Sequence, residues 1–318
     1  MVCTAISACT VVPAFGAAAA YPTRPIRIID PFPPGGPSDI IGRSLSQKLN
    51  EALGQPVVVD NRGGASGVVG CEIVANAAPD GYTLLLGPSG ALTIQPTLNP
   101  KLPYNVQRDF ATVSQLTTGP QVIAVNPAVA AKSLPDLIAL AKAKPGQLNF
   151  ASGGAGTANH LAAEVFKLAA GINIAHIPYK GTGPALTSVV SGETQLIISS
   201  LLPVLPHVKS GKLRALAVTS TARSTAVPDI PTAAESGMPA FETSSWHGIL
   251  VPEKTPRAVI TRLHDELVRV LNMPDVRERL TAQGLNIVAS TPEQFSAYLK
   301  SETAKYARVI RQAGIKLE

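Results

Sequence analysis

A chain of 318 residues, 45% hydrophobic and 15% charged, is long enough for two domains with ordinary packed interiors. Aromatic residues make up only 4%, so the core must be aliphatic. The net charge of +6 comes with no Lys/Arg run and no interleaved aromatics, which argues against nucleic acid and leaves a weak preference for anionic ligands.

Residues 1–20 carry no charge and end in Gly16-Ala17-Ala18-Ala19-Ala20, as expected of a cleaved export signal, although a basic start is missing. The segment is too short and interrupted for a membrane span, and Cys9 is a weak lipidation candidate. Loss of Cys3 and Cys9 with the signal would leave Cys71 alone. That excludes an internal disulfide or thiolate cluster and suits a small hydrophobe in a helix.

Residues 26–29 read as a strand and residues 40–53 as a helix, with Ile41, Leu45, Leu49 and Leu53 on one stripe. Ser38 or Asp39 is the expected cap, and Gly54 with Pro56 the stop. The loop between, Pro31-Phe32-Pro33-Pro34-Gly35-Gly36-Pro37-Ser38-Asp39, leaves backbone N–H groups unpaired beside the positive end of the helix dipole, which makes it an anion site. Strand 57–59, a Gly-rich turn at 60–67, helix 68–77 and strand 82–86 follow, with a turn at Gly87-Pro88-Ser89-Gly90. This is the grammar of a parallel sheet covered by helices, in which ligands sit beyond the carboxyl ends of the strands.

Next come two strand-like runs, 111–116 and 122–125, split by Thr117-Thr118-Gly119-Pro120. A capping box, Ser133-Leu134-Pro135-Asp136, opens a helix that runs to Lys144. Strand 148–151, a loop at 152–157, helix 158–170, strand 172–177, a loop at 178–184 and a short helix to Val190 lead to strands 196–198 and 213–218 in a second small sheet. Residues 228–240 are loop-like, and strand 244–251 crosses back to the first lobe. Helices 256–271, 275–283 and 292–313 close the chain, with a short strand at 285–288.

Enzymatic constellations are missing from the pattern. The five histidines share no metal-ligand spacing and read as satisfied polar residues. Gly87-Pro88-Ser89-Gly90 is not a nucleophile elbow, and Gly154-Ala155-Gly156 lacks the remaining marks of a dinucleotide site. Small polar loops at strand ends abound instead: Pro34 to Ser38, Gly63-Gly64-Ala65, Pro88-Ser89-Gly90, Ser152 to Thr157, and Lys180 to Gly183. Each hydrogen bond to a charged group contributes roughly 1.5–3 kcal/mol, so about five to eight such bonds hold a carboxylate at micromolar affinity, after ordering costs, without a buried arginine.

The words Pro31 to Arg43, Ala78-Pro79-Asp80-Gly81-Tyr82, Asn159-His160-Leu161, His176-Ile177-Pro178-Tyr179-Lys180-Gly181, Lys212 to Thr219 and Pro228-Asp229-Ile230-Pro231-Thr232 resemble the Bug/TctC-type extracytoplasmic solute receptors of tripartite tricarboxylate transporters. The resemblance runs from Tyr21 to the C-terminus. It implies an α/β, two-lobe periplasmic-binding-protein (Venus flytrap, type II) fold with two hinge-crossing strands. Lobe 1 would comprise residues 21–116 and 248–318, and lobe 2 residues 117–247, after the signal at 1–20.

It further implies a non-enzymatic, monomeric periplasmic receptor for a small di- or tricarboxylate or aromatic acid, with no cofactor and no metal. The expected partner is the membrane part of a tripartite transporter, or alternatively a sensor kinase; a periplasmic enzyme is the third alternative. The implied grip on the carboxylate falls to Phe32, Pro34, Gly35, Gly36 and Ser38 on one side, and to Ser152, Gly154, Gly156 and Thr157 on the other. Asp39 and His160 are expected mainly to brace loops, and Lys180 to be structural or to meet a distal carboxylate. Gly64, Ala65 and Ser89 join the set as strand-end loop residues. At Pro37 the usual glycine is replaced, which stiffens the loop and removes a donor. Ser199 and Ser200 stand where family members place an aromatic or acidic residue. Without an acidic partner there for an ammonium group, the expected ligand is a plain carboxylate rather than an amino acid.

Overall fold

The computed structural model describes residues 21–316, so the expected export signal lies outside the described residues. In chain order the elements are β1 (Ile26–Asp30), α1 (Pro37–Leu53), β2 (Val57–Asn61), α2 (Val68–Ala75), β3 (Thr83–Pro88), α3 (Gln95–Leu98), α4 (Val106–Asp109), β4 (Phe110–Val125), α5 (Leu134–Ala143), β5 (Asn149–Ser152), α6 (Ala158–Ala170) and β6 (Ala175–Pro178). There follow α7 (Thr182–Ser191), β7 (Leu196–Ser200), α8 (Leu201–Lys209), β8 (Arg214–Val218), β9 (Ser244–Pro252), α9 (Arg257–Leu271), α10 (Pro274–Ala282), β10 (Asn286–Ile287) and α11 (Pro292–Ala313).

The strands form one curled sheet in the order β2-β1-β3-β9-β4-β7-β5-β6, with β8 and β10 also paired to β4. β1 lies parallel to β2 and β3, as the strand–turn–helix grammar requires, and β5 lies parallel to β6 and β7. Between these parallel groups stand the antiparallel strands β9 and β4. The two small sheets expected from the sequence are therefore continuous.

The largest correction concerns β4. The Thr117-Thr118-Gly119-Pro120 segment does not interrupt it; the strand runs unbroken for 16 residues. Its first part pairs with β9 as far as Pro120↔Ser244, and from Gln121 onward it pairs with β7. Pro120 thus sits where the strand exchanges partners, so its missing N–H interrupts neither ladder's interior. Helix α8 is the longest element not foreseen in the sequence, along with the one-turn helices α3 and α4. Its prolines, Pro203 and Pro206, mimic a loop, but Pro203 falls in the first turn, where no intrahelical donor is needed.

Helix α1 starts at Pro37, three residues earlier than expected. Gly36 is the cap residue, with no side-chain cap bond, and Pro37 holds the first helical position, for which its fixed φ is suited. Ser38 and Asp39 consequently lie inside the first turn. The far end matches expectation, with Gly54 left-handed at φ 66° and its N–H on the Asn50 carbonyl. Ile41, Leu45, Leu49 and Leu53 are buried against β1, β3 and α9, each contributing roughly 1.5–3 kcal/mol. β3 likewise runs on through Pro88, and the expected turn becomes a π-type turn over Gly90–Ile94. At Ser133 only half the capping box forms: its hydroxyl accepts from the Asp136 amide, whereas Asp136 accepts from Lys132. Cys71 is buried in α2.

Apolar clusters gather on both sides of the β4–β9 pair. One pair of clusters draws mainly on residues 26–116 and 249–299, the other on residues 122–241. Gly248 lies on β9 where a Cβ would collide with the Phe295 ring and approach the Ser114 carbonyl. Gly248→Ala should therefore lower stability by about 1–3 kcal/mol in urea denaturation, through a reduced midpoint at unchanged slope.

Candidate functional site

Three helices of ten residues or more begin at the same place. α1 enters through Gly36, Pro37 and Ser38, α6 through Thr157, Ala158 and Asn159, and α7 through Thr182. With Phe32, the turn Pro88-Ser89-Gly90, and Ser245 and His247 of β9, they enclose a cavity of about 40 Å³. That is room for about three waters. First-turn amides have no intrahelical acceptor, and each helix start carries roughly half a positive charge. Among the described residues, no lysine, arginine, aspartate or glutamate lines the cavity. Its positive potential is therefore a main-chain one.

The segments meet closely across the cavity. Gln95 Nε2 donates to the Ala155 carbonyl at 3.1 Å. A Cβ on Gly90 would stand 3.0 Å from the Ala158 nitrogen, and one on Gly183 3.0 Å from the Pro34 carbonyl oxygen. A Cβ on Gly154 would lie 2.6 Å from Ser66 Oγ, so the loop that carries Gly64 and Ala65 abuts the loop of Ser152 to Gly156.

Behind Ser38 is a residue that the sequence reading passed over. Asp30, fully buried at the carboxyl end of β1, accepts from Ser38 Oγ at 2.7 Å, from the Phe32 amide at 3.1 Å and from Asn61 Nδ2 at 3.0 Å. Asp39 accepts from the Gly35 amide and from Arg43 Nε, and Arg43 also donates to Asn61. This network fixes the loop from Phe32 to Gly36. It also commits the single proton of Ser38 to Asp30, so toward the cavity Ser38 offers its amide as donor and its hydroxyl oxygen as acceptor. Burial pushes Asp30 up to about 7, against the opposing pull of the Ser38 and Phe32 donors.

The opposite loop is braced by aromatic stacking. Phe150, His176 and His160 stack, the two imidazoles 4.2 Å apart. Ser152 Oγ lies 2.6 Å from His176 Nε2 and accepts from the Gly154 amide; Thr157 Oγ1 donates to the Gly154 carbonyl, and the Gly156 amide donates to His160 Nδ1. Burial, together with the neighbouring His160 and Lys167, pushes His176 down to about 4.

Of the residues expected from the sequence, Phe32, Gly36, Ser38, Ser89 and Thr157 line the cavity. Asp39, Ser152, Gly154, Gly156 and His160 shape its two loops from behind. Pro34 and Gly35 face an outer groove shared with Gly183 and His207. Gly64, Ala65 and Lys180 are exposed and are not part of the wall. Ser199 lies one layer back, accepting from Asn159 Nδ2 at 2.9 Å, and Ser200 Oγ is buried with no partner.

The sequence reading missed Pro37, Pro88, Gly90, Ala158, Asn159, Thr182, Ser245 and His247 as wall residues. The first-turn positions followed from the helix starts, whereas those of β9 did not. His247 also departs from the expectation of a satisfied histidine: it is 2% exposed and its Nδ1 has no hydrogen-bond partner. Burial pushes it down to about 4. An unsatisfied buried polar atom costs about 1–3 kcal/mol, which a ligand can recover.

The chain is similar in sequence and in fold to proteins already described. Residues 41–315 match the family model described as Tripartite tricarboxylate transporter family receptor (TctC). The chain is 43% identical over 299 residues to Protein BugT of Bordetella pertussis, covering 94% of this chain and 92% of BugT. Among solved structures it superposes on an R. palustris protein solved with adipate (TM-score 0.91, 31% identity, 93% and 99% of the two chains). It also superposes on the periplasmic binding protein BugD (0.90, 33%, 93% and 99%) and on MatC from Rhodopseudomonas palustris with bound malate (0.88, 30%, 91% and 100%).

Difference profiles of stability against pH isolate the titrating group behind each of the two loops. His176 is depressed in the folded state, so its contribution is present above its unfolded value near 6.5 and is lost as pH falls toward 4. Thermal melts of wild type minus His176→Phe should therefore rise with pH over that window. Asp30 is raised, so its contribution is present below about 4 and is lost as pH climbs through about 7. Wild type minus Asp30→Asn should fall with pH over that range.

Proposed function

The chain belongs to the tripartite tricarboxylate transporter receptor family, and we propose that it captures a small organic carboxylate between two closing lobes and releases it unchanged. The convergence of three helix N-termini on an enclosed wall without basic side chains carries this reading. Amides in first turns are fixed donors that need no reorganisation to receive an anion. A carboxylate there would receive the amides of Ser38, Ala158, Asn159 and Thr182. The neighbours solved with adipate and malate support the same ligand class. An amino acid suits the wall poorly, because no acidic side chain lines it and a buried ammonium would lack a counter-charge.

The lobes we propose are residues 21–116 with 248–318, and residues 117–247, joined by β4 and β9. The close contacts at Gly90, Gly154 and Gly183 belong to the closed form, so ligand stabilises that form by touching both lobes at once. The receptor would work in the periplasm after export and hand its ligand to the membrane subunits of a tripartite transporter.

The test is a thermal-shift and calorimetric screen of organic acids, guided by mass spectrometry of any co-purified ligand. At 100-fold excess over Kd, a true ligand adds about 2.7 kcal/mol and raises Tm by roughly 5–10 °C. Amino acids should give no shift while their deaminated analogues do; the opposite ranking would refute the reading. Gly90→Ala crowds only the closed form. It should weaken binding at least about tenfold in calorimetry, with little change in the melting of ligand-free protein.

A further inference from the structure

Among the residues lining the cavity, His247 is the one side chain that can gain a positive charge near neutral pH. It lies on β9, opposite Thr117 of β4 and Pro88 of β3, neither of which titrates. Charged groups reach the wall only through intermediaries. Asp30 is behind Ser38, and Glu302 of α11 is behind Trp246 and paired with Lys305. On the lobe 2 side, His160 and His176 are engaged in bracing the Ser152 to Thr157 loop. Unlike them, His247 has a buried ring nitrogen with no hydrogen-bond partner among the described residues.

We propose that His247 is a specificity-determining residue that pairs with the second carboxylate of a short diacid, taking up one proton from solvent as that carboxylate enters. This rests on the reading of the cavity as a carboxylate site. The first-turn amides satisfy one carboxylate. A second one buried against the same wall needs its own counter-charge, and neither lysine nor arginine lines that wall to supply it. Without an anion beside it, burial keeps the imidazole neutral. An adjacent carboxylate reverses that balance, a solvent proton adds to the free ring nitrogen, and the resulting imidazolium N–H donates to the carboxylate oxygen. A monoacid brings no second charge and leaves the ring neutral.

Calorimetry with succinate against butyrate and adipate against hexanoate tests this, using wild-type protein at pH 7 in two buffers of different ionisation enthalpy. The expected result is at least tenfold tighter binding of one diacid than of its monoacid, with close to one proton more taken up for the diacid than for the monoacid, a difference that cancels any uptake at Asp30 behind the shared carboxylate. Diacid affinity should drop by up to about tenfold per pH unit once pH exceeds the imidazolium's value in the complex. His247→Gln should shrink the diacid-to-monoacid ratio to under about threefold and abolish the difference in proton uptake between the two acids. Diacid binding without that extra proton uptake, or a ratio that survives in His247→Gln, overturns the inference and leaves the carboxylate reading standing. If none of the four acids binds, the carboxylate reading falls and this inference falls with it. Should His247→Gln not fold, the wild-type proton count decides.

Discussion

Main-chain amides at the starts of α1, α6 and α7 have no acceptor within their own helices, and the fold points three such sets into one closed space. That unmet demand for an acceptor is the constraint on which the rest of the structure depends. Satisfying it with side chains of the protein would fill the cavity. In the proposed complex, an anion contributed from outside satisfies it and joins the segments that carry the amides.

Donors of this kind work only if they are rigid, and the two sides achieve rigidity by different chemistry. Around Phe32 to Gly36 the brace is ionic and polar: Asp30, Asp39, Arg43 and Asn61 bond one another and the loop backbone. Around Ser152 to Thr157 it is a stack of Phe150, His176 and His160 whose ring nitrogens reach the loop. Both braces put a titratable group directly behind a donor without exposing it to the cavity. His247 is different in that it faces the cavity itself.

Local signals in the sequence were good guides to local structure. The span of α11, the left-handed Gly54 after α1, and the span of α6 were legible because caps and glycines act within a turn. β4 was not legible. Gly119 and Pro120 are local breakers, and only the exchange of partner from β9 to β7 makes them harmless, a fact that lies more than 70 residues away in the chain. The site divides in the same way. Phe32, Gly36, Ser38, Ser89 and Thr157 announce themselves through glycine-rich strand ends. Ser245 and His247 look like ordinary strand residues until β9 is placed beside β3 and β4. Asp30 was hidden because a carboxylate at the end of an apolar strand reads as the strand's edge, whereas here it is sealed by the loop it holds.

The most direct measurement is a crystal structure of the protein with its co-purified or best-binding acid. The account predicts a carboxylate within hydrogen-bond distance of the Ser38 amide and of the Ala158 or Asn159 amide at once, with no basic side chain on that group. An acid bound in the outer groove at Pro34 and His207, in the groove between α9 and α11, or against one lobe alone would contradict it.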